Sequence, residues 1–468
     1  MVEHFDSKKR ELLKGAALTA AGLTALNAGA AAAKTGGTIQ LPDNIKRPGV
    51  EGKMLVNTPR AYAIMEEMKI DGLIALNPIN VYYLTNSRPV GVKMRWEYPA
   101  FATFARDPKQ PSFLVTTSAQ AWDIVNGDRE VPQLIAYTGA SNWRDYVNAT
   151  PDQKKIEPKA GGRKYPVLEG VKLTDREQRW MDSYNGVKAP TPAWALVKAL
   201  KESGLTKGRI AVDDMRVKLL LEEIGQADGI EFVPGDNVFR HIRMVKSEAE
   251  LALHRIGGRN NQEAAEATIK TIEAGMTFAE IEHRFRAEAA ARGNDLTFIL
   301  AGVTLGLFPD GKAVKGKPFL IDAVSSYKEY HGDFGRMVCI GEPNAEIMKR
   351  AKASKIGREA AFSMIKAGKS WREVEDVARQ AQIKAGMPPE TIISSIHTVG
   401  LQHSDHPSRS DVFFGAPMDH VLEENMVITL DLPHIHVGWG AGHNEDLIRI
   451  TKTGFEAFGE LTDPLVVI

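Results

Sequence analysis

The sequence predicts an α+β protein in two parts, an N-terminal α/β domain over residues 54–236 and a pseudo-symmetric domain over residues 237–468. Three observations carry this reading. The 468 residues are about three times a typical domain of roughly 150, a length that two large domains absorb. Strand and helix signals alternate up to about Gly235, after which Ser247 and Glu250 form an S-x-x-E capping box ahead of a long amphipathic helix. Finally, Ile272 to Glu282 (IEAGMTFAEIE) is echoed by Ile365 to Glu375 (IKAGKSWREVE). In each copy a helix stops at a glycine, Gly275 or Gly368, and the next starts at Thr277 or Ser370 with a glutamate three residues on. Two such copies in one domain predict similar halves with helices backing a sheet.

In chain order, Lys8, Lys9, Arg10 and Lys14 precede a low-polarity run from Gly15 to Ala33 that ends in small residues. This is the layout of a bacterial export signal over residues 1–33. Lys9 to Lys14 resembles the twin-arginine type, with Lys9 in the place of the first arginine. The run is built from Ala, Gly and Thr and is too weakly apolar to span a bilayer stably. The expectation is an exported, periplasmic protein with no stable membrane insertion once the signal is removed. Arg60 to Lys69 then reads as a helix, Gly72 to Leu76 as a strand, Asn77 to Asn80 as a turn and Val81 to Leu84 as a second short element. Gly139 to Pro192, rich in Lys, Asp, Gly and Pro, reads as a long loop or insertion.

Composition narrows the function classes. Lys plus Arg and Asp plus Glu each total 59, so the formal net charge is zero. A nucleic-acid binder would show a basic excess, and this balance argues against one. With 43% hydrophobic and 25% charged residues the chain has ample material for a core. Cys339 is the single cysteine, and it sits in an apolar strand pattern, which predicts a buried, inert thiol. A cysteine zinc site is excluded, so any metal is held by Asp, Glu and His.

Those residue types recur beside apolar strands. Phe319-Leu320-Ile321-Asp322 ends in a carboxylate, and Asp333 follows eleven residues later, before the strand Met337 to Ile340. Two strands of a hairpin can bring both side chains to one face. Ile396 to Pro407 holds three of the chain's 12 histidines, His397, His403 and His406, together with Asp405. Asp431 closes the run Val427 to Leu430, and Glu445 opens Asn444 to Ile450. Four converging carboxylates would repel one another strongly, and a divalent cation is the simple remedy.

This five-segment series resembles the pita-bread metallopeptidases, which include methionine aminopeptidase, Xaa-Pro aminopeptidase, prolidase and the metal-free creatinase. Asp71 to Thr85 (DGLIALNPINVYYLT) and Arg243 to Leu251 (RMVKSEAEL) look like the creatinase/prolidase branch, peptidase family M24. The resemblance implies a creatinase-like N-terminal domain and a pita-bread catalytic domain of two similar halves. Its ligand order of Asp, Asp, His, Glu, Glu maps onto Asp322, Asp333, His397, Asp431 and Glu445. The chain departs from the family at four places. In the H-x-x-G-x-x-x-H-E-x-P segment, Gly400 and Pro407 fix the register, so the second histidine falls on Ser404 and the acid on Asp405, with His403 and His406 alongside. A histidine upstream of the first aspartate would fall near Leu307 to Asp310, where there is none. His443 replaces an arginine, and Asp431 replaces a glutamate.

The implied function is an exported metal-dependent hydrolase similar to Xaa-Pro peptidases, attacking an amide-like bond of a small molecule or short peptide with a metal-activated water. Catalytic candidates are Asp405, His403, His406 and Glu445, the acids as base or orienting group and the histidines in place of those lost. One or two divalent ions are implied, manganese or iron favoured by the oxygen-rich donors, with zinc or cobalt as the other options. One alternative is a non-peptidase enzyme on the same scaffold, similar to the iron-dependent dimethylsulfoniopropionate C–S lyases, in which Asp405 is the base. The other is a binding protein without turnover. A homodimer is expected. Arg95, Trp96, Glu97 and Tyr98 read as ordinary surface packing, with reach to an active site, that of a partner subunit, as the other reading by resemblance, and Trp439 and His434 to His436, lying between the last two ligands, are expected to line the pocket.

Overall fold

The computed structural model describes residues 53–88, 100–120, 130–139, 141, 143–161, 165–175, 177–178, 181, 188–307, 309–408 and 418–468. The expected signal segment and Arg95 to Tyr98 lie outside these residues. The first described helix, Thr58–Glu67, starts where the Asn57 side chain accepts from the Arg60 amide and a proline occupies the first turn. The same logic corrects one expectation. Asn77 to Asn80 is not a turn but the start of the helix Pro78–Thr85, with Asn77 as the cap accepting from the Ile79 amide. Asn-Pro is a signal common to turns and helix starts, and the apolar run that follows it decides between them.

Seven strands build the first sheet: β1 (Gly72–Ala75), β2 (Phe101–Ala105), β3 (Phe113–Thr117), β4 (Gln133–Tyr137), β5 (Lys188–Ala189), β6 (Gly208–Val212) and β7 (Ile230–Pro234), in the order β5-β4-β3-β2-β1-β6-β7. β2 runs antiparallel to both neighbours, and the remaining pairs are parallel. The helix Pro192–Glu202 packs on the sheet through Trp194, Leu196 and Leu200. Between β4 and β5 the described residues include two short helices, Trp143–Val147 and Pro151–Lys154, where a long loop or insertion was expected.

The second sheet comes from β8 (Asp295–Gly302), β9 (Phe319–Tyr327), β10 (Tyr330–His331), β11 (Phe334–Cys339), β12 (Ser395–Thr398) and β13 (Val427–Asp431). After a small ribbon of β14 (His434–His436) and β15 (Gly440–Gly442), it is completed by β16 (Asn444–Ile450), β17 (Phe455–Ala457) and β18 (Leu465–Val467). Its central order is β10-β9-β11-β16-β13-β12. One face is covered by two helix pairs. Glu248–Ile269 and Phe278–Ala291 pack on Ile299, Ile321, Ala323, Phe334 and Val338, and Ala345–Phe362 and Trp371–Lys384 pack on Ile396, Ile428, Leu430 and Ile448.

The two halves repeat at their capping sites. Thr277 and Ser370 both form reciprocal capping boxes, with Glu280 and Glu373. Each is preceded by a glycine in the left-handed region, Gly275 at φ 93° and Gly368 at φ 91°, a conformation that disfavours any residue with a Cβ. Each also forms an isolated bridge to a neighbouring loop, Thr277 to Lys312 and Ser370 to Val421. Among the described residues no helix is long and apolar enough to cross a membrane.

Candidate metal centre

Strand register carries the acids to one place. Asp322 stands opposite Gly335 across β9 and β11, and Gly335 stands opposite Glu445 across β11 and β16. Leu447 on β16 pairs with Thr429 on β13, which pairs with His397 on β12, and Asp431 pairs with Ser395. Residues two apart on a strand share a face, so Asp322, Asp333, His397, Asp431 and Glu445 all project from the side without helices. Their neighbours Ile321, Ala323, Ile396 and Leu430 point the other way, into the helix layer. Asp446 follows them, and is neutralised there by Arg336 at 2.6 Å and Arg358 at 2.8 Å.

The His397 Nε2 atom lies 3.5 Å from Asp431 Oδ2, 3.7 Å from Asp333 Oδ2 and 3.9 Å from Glu445 Oε1. Thr429 approaches the same nitrogen at 3.1 Å and donates to Asp431 Oδ1 at 2.8 Å. Burial, then Asp333 and Asp431, push the Asp322 carboxyl well above the usual range, and the same three causes raise Glu445. For His397, burial favours the neutral form, but Asp431 and Asp333 outweigh it and raise its pKa to about 9. Burial likewise opposes ionisation of Asp431, yet His397 holds that carboxyl below the ordinary range. Asp322 Oδ1, both Asp333 carboxylate oxygens and Glu445 Oε2 are buried without a hydrogen-bond partner.

Orphaned acceptors grouped this closely are what a divalent cation satisfies, so the donor set fits a metal. Among the described residues three groups could each hold an ion: Asp322, His443 and Glu445; His397, Asp431 and Glu445; and Asp333, His397 and His403. Gly335 makes room for them. A Cβ there would lie 2.6 Å from His443 Nδ1 and 2.9 Å from Glu445 Cβ. Gly335→Ala is expected to displace Glu445 and His443 and to weaken metal binding by about tenfold or more, read by metal content after dialysis. Full metal loading in the variant would show that the strand adapts.

The other sequence candidates separate. His403 joins the centre, with Nε2 3.0 Å from Asp333 Oδ2 and its ring against Phe298 and His397. His406 does not. Its ring lies edge-on to Trp371 and 6.0 Å from His420, and burial lowers its pKa to about 4. Asp405 is the main correction, because its carboxylate is not free to act as a base. Arg243 donates to Oδ1 through Nε at 3.0 Å and Nη2 at 2.6 Å, and Lys246 lies 3.5 Å from Oδ2. Burial would push the Asp405 carboxyl up, but Arg243 and Lys246 outweigh it and hold it below the usual range. Gly400 is required for this packing, since a Cβ at that position would collide with Asp405 Oδ2 and lie 2.7 Å from Lys246 Nζ.

Arg243 also donates to Asn80, whose amide donates to Asp213 at 2.8 Å. Arg240 donates to the carbonyls of Ser404 and His406. The stretch Arg240 to Lys246 therefore staples the histidine loop to the N-terminal domain. Sequence reasoning missed Arg240 and Arg243, whose signal was two arginines and a lysine spaced by three ahead of the capping box. It also placed His434 and Trp439 in a pocket. Both lie instead in or beside the β14–β15 ribbon, where their rings pack together at 5.7 Å and Arg350 covers Trp439. His443, read from sequence only as a replaced arginine, is buried beside Glu445, with Nε2 3.6 Å from Oε2.

Comparison with known proteins agrees with this geometry. The family described as metallopeptidase family M24 matches residues 252–452. The Xaa-Pro dipeptidase of Pyrococcus furiosus is 26% identical over 404 residues, spanning 83% of this chain and 93% of that one. The Xaa-Pro dipeptidase of Pyrococcus horikoshii is 28% identical over 244 residues, 50% of this chain and 68% of its own. A crystal structure of a dipeptidase from the same organism superposes with a TM-score of 0.65 at 19% identity, covering 88% of this chain and 99% of the other. With the family match, these relatives and a sheet that gathers the five acid and histidine segments on one face, residues 252–452 form a metallopeptidase family M24 domain, and the protein is a metal-dependent hydrolase.

Proposed function

We propose that the protein is an exported peptidase that requires a divalent metal and cleaves short peptides of the Xaa-Pro type. The observation that carries this reading is the convergence of Asp322, Asp333, His397, Asp431 and Glu445 on one face with buried acceptors left over. The names of the relatives support the substrate class, and the layout of residues 1–33 supports export.

When bound there, a divalent cation supplies Lewis acidity toward a carbonyl oxygen and lowers the pKa of water. The chain's own residues do the rest. Glu445 Oε2 is buried without a hydrogen-bond partner, so this carboxylate is placed to take a proton and return it. His403 is the imidazole at the centre that also meets solvent, with its side chain 32% exposed, so of the two loop histidines it is His403, not His406, that stands beside the acids. Asp405 acts at a distance, holding the loop that carries His403.

The test is turnover of Ala-Pro and Gly-Pro beside a panel of small molecules that includes dimethylsulfoniopropionate. Release of proline, abolished by a chelator and restored by manganese, iron(II), cobalt or zinc, is the expected result. Release of dimethyl sulfide with both dipeptides intact would overturn the peptidase reading in favour of a lyase. Bound metal without turnover of any compound would leave a binding protein.

A further inference from the structure

Two histidines reach the carboxylate face in addition to the one in the family's ligand order. They fall in different candidate groups, His443 with Asp322 and Glu445, and His403 with Asp333 and His397. In each group the candidate ligand atoms all lie within 4.8 Å of one another. We propose that His403 and His443 are metal ligands, so that three imidazoles rather than one coordinate the centre. This rests on the reading above only in requiring a bound metal, and it does not depend on the substrate being a peptide.

The bland explanation for a buried, unpartnered histidine is packing, and the structure contains its own controls. Among the described residues His254, His434 and His443 are buried with both ring nitrogens lacking a hydrogen-bond partner. His254 is stacked on Phe458 and edge-on to Tyr330, and His434 packs on Trp439. Backbone at His331 and Leu432 lies near their rings. Aromatic packing accounts for both. Of the three, His443 is the one recorded within ion-pair distance of a carboxylate, 3.6 Å from Glu445 Oε2. Its ring lies over Gly335, in space that any side chain at that position would fill.

His403 has a separate argument. Its Nε2 stands 3.0 Å from Asp333 Oδ2, yet both Asp333 oxygens remain without an aligned hydrogen bond. The contact is thus one of position and charge, the arrangement of two ligands that face a common ion. Each added imidazole moves the donor set from oxygen toward nitrogen. Nitrogen donors suit zinc and cobalt better than manganese, which prefers carboxylate and water. The centre is thereby tuned away from the manganese that five ligands with a single histidine would favour.

The experiment uses the full chain, stripped with chelator and titrated with zinc, cobalt(II) and manganese against a chromophoric competitor. Cobalt(II) absorption serves as a readout of donor type. His443→Gln and His403→Gln are each expected to weaken zinc binding by about tenfold or more, to shift the cobalt(II) bands, and to change manganese affinity by less than about threefold. Zinc affinities and cobalt spectra unchanged in both variants, with circular dichroism matching the wild type, would overturn the proposal. Should His443→Gln fail to fold, X-ray absorption of the fully zinc-loaded wild type decides, since an average of more than one imidazole per zinc supports the proposal and one or fewer overturns it. Histidine-dependent metal binding without dipeptide cleavage would support this inference while removing the peptidase reading. A wild-type protein that binds none of the three metals would overturn both.

Discussion

Asp322→Ala is expected to lose bound metal and to lower kcat/KM on a dipeptide by about three orders of magnitude or more, roughly 4 kcal/mol of transition-state stabilisation. Asp322 is one of three ligands in its candidate group, and its partners there are a buried imidazole and Glu445. Removing it leaves that group two donors, too few to hold an ion against water there, and Glu445 links the loss to the neighbouring group that shares it. The metal-free proteins should rank the other way. Without a cation, Asp322 is raised by burial, by Asp333 and by Asp431, so its removal relieves a repulsive cluster. Metal-free Asp322→Ala should therefore melt no lower than metal-free wild type, while the thermal shift produced by metal disappears in the variant. Metal analysis, steady-state kinetics and paired melting curves check the three parts. A variant that retains both metal and turnover would remove Asp322 from the centre.

The largest effect on stability is expected at Asp405. Asp405→Asn leaves the Arg243 guanidinium, 1% exposed, without its anionic partner and should destabilise the fold by about 3–5 kcal/mol. Denaturant midpoints at constant slope measure it. The paired change Arg243→Met with Asp405→Leu should recover much of the loss, because apolar replacement removes the uncompensated charge along with the bridge. A loss below about 1 kcal/mol in Asp405→Asn would mean that the pair is solvated in solution and does not pin the histidine loop.

The parts legible in sequence were those set by local chemistry. Ser247, Thr277 and Ser370 cap helices because a hydroxyl three residues ahead of a glutamate satisfies free amides wherever it occurs. The acids beside apolar strand runs were legible too, since strand alternation says which residues share a face. Asn77 was misread because an asparagine before a proline serves a turn and a helix start equally well. Asp405 was misread for a different reason. Its partner Arg243 lies 162 positions away, and no local pattern distinguishes a carboxylate paired at such a separation from one free to act. His403 sits in a loop and His443 between β15 and β16, where periodicity gives no direction to a side chain, so only the fold revealed that both face the acids.

The alternation of the second sheet has a consequence for substitution. Each ligand on β9, β12 and β13 is flanked by residues that fill the helix-facing core, so catalytic and folding duties are interleaved one residue at a time along the same strands. A ligand can therefore be exchanged without disturbing the packing that keeps the strand in register. Substitutions at Asp322, His397 or Asp431 should change what the face binds while the helix-facing residues hold the strands in place, so that chemistry is written in one set of alternate positions and architecture in the other.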